Sequence, residues 1–428
     1  MRGPAAKPIV IAAGGTGGHF FPAEALAAAL ISRGHRVVLM TDARSAALQS
    51  AVFAGGEIFR LRGAGLAGRG VWRATRAAVA LIGSTWRARQ ILKSLDAAAI
   101  VGFGGYPSVP PVLAARTLKR RPFIVLQEQN AVLGRANMFL SRFADCLALG
   151  FAATRRVPAG VPTTVTGNPV RPAIAAIAHQ AYEIPTGRIR LLVLGGSLGA
   201  RVFSDIVPAV IAALPPVLRE RIDITQQCRG EDIGRVTAAY HDANIAADLA
   251  PFFTDVADKL ARAHLVIARA GASTCAELAV AGRPAILVPL PGAIDDHQTA
   301  NAAALRNAGA ARVVPQAEFT VPALAALLIE LLTESKSLAA AAQAAAAAAS
   351  YDAAARLADI VEQYGSKKLG GTKPFPPNPP APLRCGSHVF RNSGVGADAS
   401  ERVTGAVVNR RLRRSGLTQA SLFSGAPA

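Results

Sequence analysis

Gly271-Ala272-Ser273-Thr274-Cys275-Ala276-Glu277 stands between two short apolar runs, His264 to Ala268 before it and Ala285-Ile286-Leu287-Val288-Pro289 after it. A polar group, Asp295-Asp296-His297-Gln298 with Asn301, follows the second run. The order predicts strand, tight turn, helix, strand, loop, with runs short and β-rich enough to be buried parallel strands. Gly271 lets the backbone turn, and Ser273 and Thr274 are candidate caps for the helix. A helix N-terminus carries unpaired N–H groups and partial positive charge, which suits a diphosphate. Glu277 falls in the first turn, where its carboxylate favours the dipole and can accept from two neighbouring hydroxyls, as on a ribose. An ordinary βα turn with a capping Ser/Thr also explains the heptad alone. The polar run after the second strand points instead to a site, because open parallel sheets bind ligands at the carboxyl ends of their strands.

The same grammar recurs upstream. Leu191–Leu194 reads as a strand, followed by Gly195-Gly196-Ser197-Leu198-Gly199-Ala200-Arg201 and a helix. Ile222–Gln226, Ala250–Phe253, Leu265–Ala268, Ala285–Val288 and Ala311–Val314 continue that sheet. At the start of the chain, strand Ile9–Ala13 leads into Gly14-Gly15-Thr16-Gly17-Gly18-His19, a helix from Pro22 to Arg33, and strand Val37–Met40. This is a βαβ unit with a glycine-rich first turn. GxGxxG spacing is absent, and so is GxxxxGK[ST], so a phosphate-binding loop and a merely tight turn both fit. A further glycine loop, Gly102 to Pro107, follows strand Ala98–Val101, and strand Phe123–Gln127 ends in Glu128-Gln129-Asn130. The echo between halves predicts an α/β chain of two doubly wound, Rossmann-type domains facing a cleft. We place them at 8–170 and 186–345, with a closing helix at 346–365 in the Ala-rich run Ser337–Glu362.

The chain has 428 residues and a formal charge of +20, of which +8 lies in 366–428. That last segment, with six prolines between Lys373 and Pro382, reads as a basic, disordered tail. An anionic membrane surface and a nucleic acid are the physical candidates for such an excess. Residues 58–95 carry eight Lys/Arg and no acid, interleaved with Val71, Trp72, Val79, Leu81, Ile82 and Trp86. Trp, aliphatics and Arg on one helix suit a membrane interface; a crossover helix with buried tryptophans is the alternative. No interleaved base-stacking aromatics or recognisable module speak for nucleic acid. Cys146, Cys228, Cys275 and Cys385 are scattered, so no zinc site and a reducing compartment are expected. Met1 to Lys7 runs straight into the first strand, without a signal-peptide pattern, and the glycines and prolines of Ala97–Ala115 argue against a membrane span.

With these segments in order, the chain resembles the MurG family of bacterial cell-wall glycosyltransferases, over about residues 8 to 363. The resemblance rests on Gly14–His19, Gly102–Pro107, Gln127–Asn130, Gly167–Arg171, Gly195–Arg201, Ala268–Glu277 and Pro289–Asn301. It implies a GT-B fold and inverting transfer of N-acetylglucosamine from UDP-GlcNAc to undecaprenyl-diphospho-N-acetylmuramoyl-pentapeptide, lipid I to lipid II. It also implies work at the cytoplasmic face of the inner membrane as a peripheral protein, beside other cell-wall synthesis proteins. Carried onto this chain, Ser197 meets the diphosphate with Arg171 nearby, and the main chain of Phe253 pairs with uracil. Ala272, Ser273 and Thr274 line phosphates and sugar, Glu277 binds the ribose and Gln298 the GlcNAc hydroxyls. Thr16, Gly17, Gly18 and Asn130 reach the sugar from the first domain, and His19 and Tyr106 flank the acceptor. Phe253 and Asp296-His297 depart from some relatives. No DxD sits at a plausible position, so no metal or other cofactor is expected, and helix termini and an arginine stabilise the leaving group instead. His19 is the candidate base. A UDP-GlcNAc 2-epimerase, a glycolipid synthase and a non-catalytic UDP-sugar sensor are the alternatives.

Overall fold

The computed structural model describes residues 7–14, 17–42, 50–61, 71–196 and 199–367. All lie in the first of the two units into which the chain divides, Met1–Asn378 and Pro379–Ala428. Thr16, Ser197, Cys385 and the 368–428 part of the expected tail fall outside the described residues.

The first sheet is built from β1 (Ile9–Ala12), β2 (Val37–Asp42), β3 (Glu57–Leu61), β4 (Ala99–Gly102), β5 (Phe123–Glu128), β6 (Cys146–Leu149) and β7 (Thr163–Val165). They pair in the order β3-β2-β1-β4-β5-β6-β7, parallel throughout. Strands β1, β4, β5 and β6 are wholly buried, and apolar apart from Gln127 and Glu128 at the end of β5, because helices cover both faces. The helices are α1 (Gly17–Ser32), α2 (Val71–Leu95), α3 (Gly105–Arg116) and α4 (Arg135–Leu140). The reversal of strand order falls between β1 and β4, where Ala12 lies opposite Gly102. Both glycine loops leave the sheet there.

After the short α5 (Pro172–Ala175) the pattern repeats. Strands β8 (Ile189–Leu194), β9 (Ile222–Gln227), β10 (Ala247–Ala250), β11 (Leu265–Ala268), β12 (Ala285–Leu287) and β13 (Ala311–Val313) pair in the order β10-β9-β8-β11-β12-β13, again all parallel. Around them lie α6 (Arg201–Ala213), α7 (Pro216–Arg219), α8 (Ile233–Asp242), α9 (Val256–Arg262), α10 (Ala272–Ala281), α11 (His297–Asn307) and α12 (Val321–Thr333). The switch point lies between β8 and β11, with Leu194 opposite Ala268. The expected strand Ala250–Phe253 is displaced: β10 spans Ala247–Ala250, and Phe253 lies beyond it, buried in one core with Val256 and Leu260 of α9.

The Ala-rich run is not one helix. It divides into α13 (Ser335–Ala347) and α14 (Ala353–Lys367), and the break lets the chain return to the first domain. There Leu357, Ala358, Ile360 and Val361 join Phe20, Leu26 and Leu30 of α1 in one core. Arg33 pairs with Asp359 (2.7 Å) and Glu362 (2.9 Å) at its edge. The two crossings between domains touch: Gly167 has φ +80°, and a Cβ there would lie 2.3 Å from that of Ser350. Among the described residues no helix is long and apolar enough to cross a membrane.

Candidate functional site

The loops at both switch points line one cleft of about 1190 Å³. On the second-domain side, Gly271 is the N-cap of α10, with extended backbone (φ −64°) and no side-chain cap. This corrects the expected role of Ser273 and Thr274: neither caps the helix. The first intrahelical bond runs from Cys275 N–H to Gly271 O (2.9 Å), so the amides at the start of the helix face the cleft without side-chain partners. Glu277 is buried, and its two oxygens accept from Nε (2.7 Å) and Nη2 (2.9 Å) of Arg171. That guanidinium also rests on the ring of Phe21, 4.6 Å from its centroid, so an aromatic face of the first domain holds the pair.

The glycine loop after β8 is stapled by Gln227. Its Oε1 accepts from Gly195 N–H (3.1 Å), and its Nε2 donates to Gly196 O (3.1 Å) and Pro251 O (3.0 Å). Gln298 Oε1 accepts from the N–H of Leu290 (2.9 Å). Arg269, nearly buried, donates to the carbonyls of Val288 (3.1 Å) and Pro289 (3.2 Å) and to Gln316 (2.6 Å). Burial without a carboxylate pushes its pKa down.

On the first-domain side, α1 begins at Gly17, so the loop glycines form its first turn and Pro22 lies inside it rather than at its start. Proline has no N–H to give to the carbonyl four residues back. That carbonyl, Gly18 O, accepts instead from Ser273 Oγ of the other domain (3.3 Å). His19 Nδ1 lies 2.8 Å from Gln129 Oε1. Gln129 Nε2 donates to the carbonyls of Phe103 and Gln127, both 3.1 Å, which fixes Oε1 as the acceptor. His19 therefore donates from Nδ1, and in the neutral ring the lone pair is on Nε2. The Asn130 amide donates to Glu128 (3.1 Å) and accepts from Asn301 Nδ2 of the second domain (3.1 Å). Tyr106, in the first turn of α3, is not among the cleft-lining residues. Its hydroxyl is buried without a partner among the described residues.

The cleft thus gathers Gly17, Gly18, His19, Asn130, Arg171, Phe253, Ala272, Ser273, Thr274, Glu277 and Gln298. Sequence reading missed Phe21, Gln227 and Arg269, and gave Gln129 no role. Each acts through a partner distant in the chain, so no local pattern marks it. Among the described residues no group of three or more His, Cys, Asp or Glu is placed to hold a metal ion.

Two parallel-sheet domains whose switch points meet over a helix N-terminus, a buried carboxylate and an imidazole define a nucleotide-sugar glycosyltransferase of the GT-B class. The family described as Glycosyltransferase family 28 matches through its N-terminal domain at residues 9–149 and its C-terminal domain at 190–357. The chain belongs to the MurG family. It is 61% identical to the UDP-N-acetylglucosamine--N-acetylmuramyl-(pentapeptide) pyrophosphoryl-undecaprenol N-acetylglucosamine transferase of Granulibacter bethesdensis, covering 85% of this chain and 95% of the relative. The crystal structure of Acinetobacter baumannii MurG superimposes with a TM-score of 0.67 at 32% identity, over 83% of this chain and 99% of that one. A Listeria monocytogenes protein described as a UDP-N-acetylglucosamine 2-epimerase shares the fold (TM-score 0.59, 84% and 97% coverage), but at 16% identity it shows the fold alone.

Proposed function

We propose that the chain transfers GlcNAc from UDP-GlcNAc, with inversion, to the 4-hydroxyl of the N-acetylmuramoyl unit of lipid I, giving lipid II for peptidoglycan synthesis. The observation that carries this reading is the convergence, in one cleft, of the open start of α10, the Glu277–Arg171 pair and a histidine of defined tautomer. Uridine lies against Phe253, with its ribose hydroxyls on the outer lone pairs of Glu277. Arg171 spends Nε and Nη2 on that carboxylate, which leaves Nη1 for the diphosphate. Ser197 meets the diphosphate, and the amides of Ala272, Ser273 and Thr274 take up its growing charge. Gln298 and Asn130, with Thr16, Gly17 and Gly18, hold the hexose. His19 Nε2 removes the proton of the attacking hydroxyl as the new bond to the anomeric carbon forms and the bond to the UDP oxygen breaks. His19 flanks the acceptor, whereas Tyr106, which does not line the cleft, takes no part in this reading.

The leaving group needs no cofactor on this reading, because fixed dipoles and a guanidinium replace a divalent cation. The protein works at an anionic membrane surface, the cytoplasmic face of the inner membrane. Helix α2 supports this: Val79, Ile82 and Trp86 are 69%, 69% and 64% exposed, on one face at i, i+3 and i+7, beside exposed Arg76, Arg87 and Lys93. The opposite face, Ala77, Ser84, Ala88 and Leu92, is buried. The test is transfer of labelled GlcNAc to a short-chain lipid I analogue with and without EDTA. Transfer that survives EDTA is expected. Transfer lost with EDTA overturns the metal-free mechanism, and donor binding without transfer overturns the acceptor.

A further inference from the structure

Asp295 lies beyond β12, two residues before α11, and reaches into the first domain. One carboxylate oxygen lies 2.8 Å from Arg156 Nη1 and the other 3.5 Å from Arg135 Nε. The contact is built from unusual backbone: Asp295 (φ 55°), Asp296 (φ 51°) and Arg156 (φ 66°) are all left-handed without being glycine. Such residues persist where surrounding contacts hold them, and they concentrate at functional sites. Arg156 is held in turn by a short ladder, with Leu133 N–H on Arg155 O (3.0 Å) and Arg155 N–H on Ala131 O (2.9 Å). Six residues after Asp295, buried Asn301 makes a second crossing. It accepts from Ala131 N–H (2.8 Å) and donates to Asn130 Oδ1 (3.1 Å) and Ala270 O (3.2 Å).

Gln298 sits midway between these two anchors. Phe253 and Glu277, which receive the nucleotide, make no hydrogen bond or ion pair with Asp295, Arg135 or Arg156; Glu277 is held by Arg171. We infer that Asp295 is a positioning residue for the donor hexose: by docking on Arg156 and Arg135 it fixes the Gln298 turn only when the acceptor domain is in place. GlcNAc recognition then depends on the Asp295 contact, whereas UDP recognition rests on Phe253, Glu277 and Arg171 and does not. This rests on the UDP-GlcNAc transfer reading.

The test separates UDP from UDP-GlcNAc. Asp295→Asn is expected to raise the Kd and KM for UDP-GlcNAc about fivefold, as for a partly exposed ion pair, and to leave the Kd for UDP unchanged. The double variant Arg135→Ala, Arg156→Ala should show the same loss, and adding Asp295→Asn to it should cost nothing more. A merely structural role predicts equal weakening of both ligands, so that result overturns the inference, as do additive losses or an unchanged Kd for UDP-GlcNAc. Wild-type protein that binds UDP-GlcNAc but does not transfer it overturns the proposed reaction and not the clasp, which is read from binding alone.

Discussion

The His19 ring is oriented by Gln129, 110 residues away in the chain. The carboxamide cannot turn over without losing its bonds to Phe103 O and Gln127 O, so its oxygen must face the imidazole. Gln129→Leu should therefore lower kcat at least tenfold with little change in the Kd of UDP-GlcNAc, and His19→Ala should lower kcat by about 10²-fold or more. Single-turnover rates beside calorimetric Kd values check both; a Gln129→Leu enzyme of full turnover removes the tautomer argument. Glu277 is a charged acceptor, and such bonds are worth roughly 1.5–3 kcal/mol. Glu277→Gln should weaken UDP at least tenfold and 2′-deoxy-UDP clearly less. Equal losses for the two nucleotides would show that the carboxylate does not read the ribose. The histidine in the glycine loop and the acid four residues after Ser273 were both legible in the sequence. Their partners were not, because a bidentate pair spanning 106 residues leaves no periodic trace.

At the scale of the element, α2 has two faces with different solvents. Ala77, Ser84, Ala88 and Leu92 pack inward, and the helix lies along α3, while Val79, Ile82 and Trp86 remain exposed. Replacing Ile82 and Trp86 by Ser should weaken binding to vesicles containing anionic lipid about tenfold or more, while transfer to a water-soluble acceptor analogue is kept. Charge reversal at Arg76, worth about 1 kcal/mol at such a surface, should add a salt-dependent loss. Vesicle co-sedimentation checks both, and unchanged binding by the Ser variant removes α2 from the interface. The interleaved pattern of the sequence fitted two readings, an interfacial helix or a crossover helix that buries its aromatics. The exposure of Trp86 supports the first; the side chain of Trp72 lies outside the described residues. Helix α10 is built the other way, nearly all inward. Burial pushes the Cys275 thiol up to about 12, so it should resist thiol reagents in the folded protein.

At the scale of the molecule, two chain crossings and a returning helix join the domains. Gly167 is left-handed against Ser350, so Gly167→Ala should cost roughly 2 kcal/mol and lower the Tm by several degrees. An unchanged melting curve would mean that the crossings slide freely. Stability should also depend on pH through His264, at the lower end of β11. Burial first, then Arg190, whose main-chain N–H is bound by Nδ1 (3.0 Å), lower its pKa to about 4. The unfolded chain, with a histidine near 6.5, binds the proton first. Stability present above pH 6.5 should thus be lost as pH falls from there toward 4. Melting curves between pH 7 and 5 should shift downward for the wild type and less for His264→Asn; parallel shifts would exclude His264 as the cause.

What the sequence by itself determined was the local grammar of this protein. Apolar runs of strand length, glycine turns at their carboxyl ends and a repeat of that order between halves imply two doubly wound domains, because hydrogen bonding and burial in a βα unit are decided within about thirty residues. It also marked Glu277 and the glycine loops as candidates for a site, since switch points follow from strand order. The tertiary structure alone decided the rest. Strand β10 lies at Ala247–Ala250 and leaves Phe253 to the core beside α9, and the Ala-rich run breaks so that α14 can cover α1. Gly18 offers its carbonyl to Ser273 across the cleft, and Asp295 and Asn301 tie the Gln298 turn to the first domain. These are long-range pairings whose free energy depends on distance in space, and sequence separation carries no record of it.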